Sequence, residues 1–152
     1  MNPIYDRINL YAASKNMFFE KPLFGFGFNT FEKTSPSYFY KISGITYQGV
    51  GLCPHDTFVG ILVELGLLGF IPFILIFFYI FRHSIKLYYN LPVKSFLGRG
   101  LIATFWGISI VFIVNMQFIQ MRFFQFPNSL FFLLAGMIVG LNQRILLSKE
   151  IA

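Results

Sequence analysis

Acidic side chains are scarce. The 152 residues hold six Asp and Glu against twelve Lys and Arg, and charged residues of both signs make up only 12% of the chain. Soluble domains usually carry about 25%, so a water-soluble globular fold is not the expectation. Cysteine is scarcer still: Cys53 stands alone, which rules out an intrachain disulfide and leaves the compartment open. The N-terminal stretch MNPIYDRINLYAASKNMFF lacks the apolar core of a cleavable signal peptide, so none is expected. The formal net charge of +6 does not point to nucleic acid, because that reading needs a basic face on a soluble fold.

What the chain has instead is apolar and aromatic surface: 56% hydrophobic residues, 20% aromatic, and a mean hydropathy of +0.66. Three segments, about 57–81, 96–118 and 128–147, approach the length of about 20 residues that a spanning helix needs. In the first, PHDTFVGILVELGLLGFIPFILIFFYIF, the one formally charged side chain between Thr57 and Phe81 is Glu64. Pro72 lies inside it and is expected to kink it. The expected fold class is therefore an all-α membrane protein, with about three transmembrane helices after an outward-facing helix-plus-loop segment. The corresponding domains are 1–56 and 57–152.

Charge placement suggests the orientation. Residues 82–99, RHSIKLYYNLPVKSFLGR, carry Arg82, Lys86, Lys94 and Arg99 with no acid. The positive-inside rule puts this loop and the C-terminus in the cytoplasm, and residues 1–56 and the loop at 119–127 outside. Within 1–56, Tyr5 to Phe19 reads as an interfacial helix ended by Pro22 and the Gly25/Gly27 pair. A long Ser-, Gly- and Tyr-rich loop follows. A loop of that length is functional or disordered as a rule, and its aromatic content argues against disorder.

Few residues can carry chemistry. His55, at the outer mouth of the first spanning segment, could exchange a proton with a substrate hydroxyl, or simply sit at the interface. Asp56 immediately precedes that segment and reads as its N-cap. Glu64 lies nine residues after His55, about half a turn round a helix, so the two cannot touch on one regular helix. A costly intramembrane carboxyl marks a functional or packing site, and an arginine or backbone groups from elsewhere are the expected partners of Glu64. Arg7 and Arg122 are the outward cations whose planar forks suit phosphate oxygens, although either could be merely solvated. Gly25 and Gly27 read as a turn that permits close backbone approach, and Gly66 and Gly69 as sites of close helix packing. Asn115, Gln117, Gln120 and Gln125 make the outer end of the second segment polar; they either satisfy the interface or line a sugar site. Cys53 near His55 has no third orienting group evident, as a thiol nucleophile would need.

The run RINLYAASKNMFFEKPLFGFGFNTF resembles the periplasmic segment of the O-antigen ligase/polymerase superfamily. There an arginine precedes an amphipathic helix that leads into a P-L-hydrophobic-G-hydrophobic-G-x-x-x-F motif, matched here by Arg7, Pro22, Leu23, Gly25, Gly27 and Phe31. The family's second motif, a histidine opening a helix that continues into E-x-G-x-x-G, is matched by His55, Glu64, Gly66 and Gly69. The resemblance covers about residues 4–90, and topology extends it over the rest. It implies a membrane glycosyltransferase that needs neither metal nor cofactor. Such an enzyme takes a glycan from undecaprenyl diphosphate to a lipid A-core or glycan acceptor at the periplasmic face of the bacterial inner membrane.

Carried onto this chain, the resemblance makes Arg7 and His55 the catalytic pair, with Arg7 also on the diphosphate. Arg122, Gly25 and Gly27 would be substrate-binding, and Glu64, Asp56, Gly66 and Gly69 structural. Family members are longer, so the chain is expected to match their C-terminal part and to need a separate chain that carries N-terminal helices. The alternatives are a non-catalytic remnant and a subunit that binds or transports lipid-linked glycan. Ligase and polymerase share these motifs.

Overall fold

In a computed structural model that describes residues 3–39, 52–91 and 98–151, every regular element is helical. The order is α1 (Pro3–Glu20), α2 (Phe31–Thr34), α3 (Pro36–Phe39), α4 (Thr57–Asn90), α5 (Arg99–Phe118), a single 3₁₀ turn (Met121–Phe123) and α6 (Gln125–Ile151). Three of these, α4, α5 and α6, are long and apolar enough to cross a membrane. No more than 28% of any of their apolar windows is buried within the protein. Side chains such as Ile71, Leu75, Phe78, Ile110, Val111, Leu133 and Met137 are exposed. Apolar surface on that scale is unsuited to water and suited to lipid. The chain is an all-α, multi-pass membrane protein.

The elements differ from the sequence expectation at their ends. The first spanning helix continues to Asn90 rather than stopping at Phe81, because Arg82 and Lys86 end an apolar run without opposing a helix. The third begins at Gln125 rather than about 128. Pro127 is tolerated there because its missing N–H falls in the first turn, where no intrahelical bond is lost. The interruption in α4 is at Gly66 (φ 62°, ψ −166°), not at Pro72, where the backbone stays helical. Part of the long loop between α1 and α4 folds into α2 and α3, while residues 40–51, and residues 92–97 of the basic loop, lie outside the described residues.

The chain forms two compact units. Unit 1 comprises residues 1–73 and 116–123. Its core joins Leu10, Ala13 and Met17, at helical spacing along α1, to Phe31, Tyr38, Phe39 and Val63. Burial, reinforced by a hydrogen bond to Glu20 and by that residue's charge, pushes the Tyr38 hydroxyl up to about 12.

Unit 2 comprises residues 74–115 and 124–152 and packs around Phe131. That ring stacks on Phe112 (centroids 4.2 Å apart, 2° between planes), Phe105 (6.0 Å) and Phe77 (5.8 Å). Two polar contacts complete the interior: the Trp106 indole N–H donates to Ser84 Oγ (2.8 Å), and Asn142 Nδ2 meets His83 Nδ1 (2.8 Å).

Candidate functional site

The site in unit 1 is built on the interruption of α4. In a continuous helix the Leu67 and Leu68 N–H groups would donate to the carbonyls of Val63 and Glu64. Left unpaired at membrane depth, each of the four groups would cost several kcal/mol. The turn after α1 supplies the partners instead. Phe26 and Gly27 N–H donate to the Val63 and Glu64 carbonyls (3.2 and 2.8 Å), while Leu67 and Leu68 N–H donate to the Pro22 and Leu23 carbonyls (2.8 and 3.1 Å). Two glycines make this approach possible. A Cβ at Gly25 (φ 66°) would overlap the Glu64 carbonyl, and one at Gly66 would overlap the Leu23 carbonyl. Two motifs some forty residues apart in sequence thus meet backbone to backbone.

Glu64 completes the junction. It is 1% exposed and has three donors: Asn29 N–H on Oε2 (2.9 Å), Phe31 N–H on Oε1 (3.2 Å) and Arg122 Nη1 on Oε2 (2.5 Å). Three hydrogen bonds thus converge on its two carboxyl oxygens. The Arg122 guanidinium also packs against the Phe28 and Phe123 rings. Both kinds of partner expected for Glu64, an arginine and backbone groups, are therefore present.

A second group of side chains gathers where α1 passes the start of α4. Arg7, Leu10 and Tyr11 from α1 and Pro54 and His55 from the approach to α4 line one narrow cleft of about 10 Å³. Arg7 and His55 are both exposed, and the Arg7 guanidinium lies 5.7 Å from the centre of the Phe118 ring. Asp56 ties the two segments together. Its Oδ1 accepts the Val59 N–H (3.0 Å), the N-cap bond, and its Oδ2 accepts the Tyr11 hydroxyl (2.9 Å). Burial, and then this bond, raise the Tyr11 pKa, so Tyr11 stays a donor over the physiological range. Thr57 fixes the far side: its hydroxyl donates to the Ile119 carbonyl (2.7 Å) and accepts the Met121 N–H (2.9 Å).

The residues given catalytic, substrate-binding or structural roles from the sequence thus each have a place. Arg7 and His55 share the cleft, and Asp56 caps the helix beside them. Glu64, Gly66, Gly25 and Gly27 form the junction, where the Gly27 N–H is bonded to α4 and the Gly25 N–H to the Lys21 carbonyl (3.1 Å). These glycines give geometry rather than free N–H donors to a ligand. Arg122 is held by Glu64 instead of standing free in an outer loop. Gly69 faces the side chain of Leu65 on its own helix. Burial, and then the charge of Glu32, raise the Cys53 pKa, away from the thiolate a nucleophile requires.

Two contributors were not legible in advance. Tyr11 carried no sequence signal beyond its spacing of four from Arg7, which puts both on one helix face. Asn29 has a positive φ of 59°, a conformation asparagine tolerates better than most residues. Among the described residues no group of acids, histidines and cysteine is placed to hold a metal. No family model matches the chain, and no curated protein or solved structure matches it.

Proposed function

We propose that the chain works as part of an O-antigen ligase-like glycosyltransferase in the bacterial inner membrane, with residues 1–56 on the periplasmic side. The observation that carries this reading is the convergence of Arg7 and His55, from two motifs separated in sequence, on one cleft at the mouth of a spanning helix. Arg7 offers a planar cation to the diphosphate of an undecaprenyl-linked donor and stabilises the charge that builds on it as it leaves. His55 takes the proton from the acceptor hydroxyl, on a lipid A-core or glycan sugar, as that oxygen attacks the anomeric carbon. Attack opposite the departing diphosphate inverts the sugar's configuration. The junction at Glu64 holds α1 against the start of α4, which keeps both side chains on the same cleft.

Excess Lys and Arg between the first two spanning helices supports the proposed orientation. An impermeant thiol reagent should therefore miss a cysteine introduced at residue 86 of a chain carrying Cys53→Ser. Labelling from outside would invert the topology and remove the cleft from the periplasm.

The deciding experiment is complementation. The gene is deleted in its host and surface glycan is compared on a gel after return of wild type, His55→Ala or Arg7→Ala at equal protein level. Loss of glycan, restored by wild type alone, is the expected result. Restoration by either variant would favour a subunit that only binds or transports lipid-linked glycan.

A further inference from the structure

The turn that docks on α4 carries no charged side chain from Pro22 to Phe31. Three of its large apolar side chains stand outside the fold: Leu23, Phe28 and, 75% exposed, Phe24. A cluster of that kind on a turn is a surface that meets something apolar. Its level along α4 says what.

Two ties fix that level. Tyr11 bonds to Asp56 at the start of α4, and the Pro22 carbonyl accepts the Leu67 N–H beyond the interruption. From 11 to 22 and from 56 to 67 the two segments advance equally, by about 16 Å at the helical rise. Helix α1 therefore runs beside the first part of α4 and brings the turn level with Leu67. There α4 faces lipid, with Leu68 and Ile71 exposed. Its uncharged run from Leu67 to Phe81, closed at the other end by Arg82, covers about 22 Å. A hydrocarbon core is about 30 Å thick, so it extends beyond Leu67 to the level of the turn.

Non-helical backbone survives at such depth only where protein satisfies it. Here the Phe26 and Gly27 N–H groups donate to the Val63 and Glu64 carbonyls, and the Asn29 and Phe31 N–H groups donate to the Glu64 carboxyl. A carboxyl is costly inside an apolar run, and this one supplies acceptors that lipid cannot. The nearest charges along the chain also have partners: Glu20 is bonded to the Tyr38 hydroxyl, and Lys21 Nζ lies 4.7 Å from the centre of the Phe26 ring.

We infer that residues 22–28 form a re-entrant turn, which enters the leaflet on the side of α1 and places Leu23, Phe24 and Phe28 against lipid acyl chains. The segment before α4 then penetrates the membrane without crossing it, instead of lying wholly outside. The inference is independent of the transferase reading and of which face of the membrane α1 occupies.

Depth can be read directly. The full chain carrying Cys53→Ser is given one new cysteine, spin-labelled, and reconstituted in vesicles of phosphatidylethanolamine and phosphatidylglycerol. Collision of the nitroxide with oxygen, which concentrates in lipid, is compared with collision with a water-soluble nickel chelate present on both sides of the bilayer. Labels at Leu23→Cys and Phe24→Cys should favour oxygen as one at Ile71→Cys does, with a ratio of oxygen to chelate collision several-fold above that at Glu32→Cys. All four positions are exposed, and a wild-type unfolding temperature is required of each labelled chain. A preference for the chelate at 23 or 24 would put the turn in water and overturn the inference. Weak collision with both reagents at those positions would mean that protein covers the turn, and would overturn it equally.

Discussion

Unit 1 organises its interior around a carboxylate, Glu64, whereas unit 2 organises its interior around a ring, Phe131. The difference shows where directional bonding is needed. Hydrocarbon surrounds a membrane protein with material as apolar as its own core, so apolar contacts pack helices without selecting one arrangement strongly. In unit 2 stacked phenylalanines form the centre, with the Trp106–Ser84 and Asn142–His83 contacts beside them. In unit 1, a helix is interrupted and a turn inserted, and every backbone group released must find one particular partner. The exposed pair of Arg7 and His55 belongs to this second kind of construction, in which positions are set by bonds with direction.

The sharpest way to break the contrast is at the glycines. Gly66→Val should cost about 3 kcal/mol or more, because it combines a strained positive φ with an overlap on the Leu23 carbonyl. Fluorescence-detected size exclusion and thermal unfolding in detergent should show little folded protein. Gly136→Ala in unit 2 should change stability by no more than about 0.5 kcal/mol, since a Cβ there meets nothing within 4 Å. Comparable losses in the two variants would mean that the docked turn is not what holds unit 1.

Next come the two organising side chains. Glu64→Ala leaves Arg122 without its counter-ion and two backbone N–H groups without an acceptor; the expected loss is about 3–5 kcal/mol. Phe131→Ala should cost about as much through the cavity it opens, about 3–5 kcal/mol. The distinction lies in rescue. Phe131→Leu should recover most of the stability, because an apolar interior needs volume. Glu64→Met should recover little, because volume does not satisfy an N–H. Equal rescue at both positions would erase the proposed difference between the units.

These positions also show what the sequence could tell. Hydropathy made the three spanning helices visible, and spacing alone set His55, just before α4, apart from Glu64 within it. The N-cap role of Asp56 was readable because a carboxylate before an apolar helix has one obvious task. The interruption at Gly66 was hidden, since a glycine in an apolar run looks the same whether it packs against another helix or opens its own. Pro72 marked a place where the helix loses a hydrogen bond, whereas the non-helical backbone angles fall at Gly66, six residues earlier. The partner of Glu64 could be guessed by type and not by number, because Arg122 lies fifty-eight residues away and nothing local points to it.

A smaller effect appears at alkaline pH. Tyr38 is raised from an ordinary value of 10.0 to about 12. Its neutral form is therefore favoured in the folded protein, and its contribution is whole below pH 10 and disappears as pH rises through 12. The stability gap between wild type and Tyr38→Phe, followed by thermal unfolding from pH 8 upward, should narrow over that window. A gap that stays constant to pH 12 would show that Tyr38 contributes through packing alone.

The smallest expected change in stability separates a scaffold from a working site. His55→Ala and Arg7→Ala remove exposed side chains, and surface substitutions of this kind shift stability by no more than about 0.5 kcal/mol. Both should unfold at the wild-type temperature while the proposed glycan transfer is lost. Tyr11→Phe should keep the fold and lower transfer only in part, since it frees Asp56 Oδ2 but leaves the cap on Oδ1 intact. If His55→Ala instead destabilised the chain as strongly as Glu64→Ala, the cleft would be one more packing junction, and the convergence of Arg7 and His55 would record how α1 meets α4 rather than what the two side chains do.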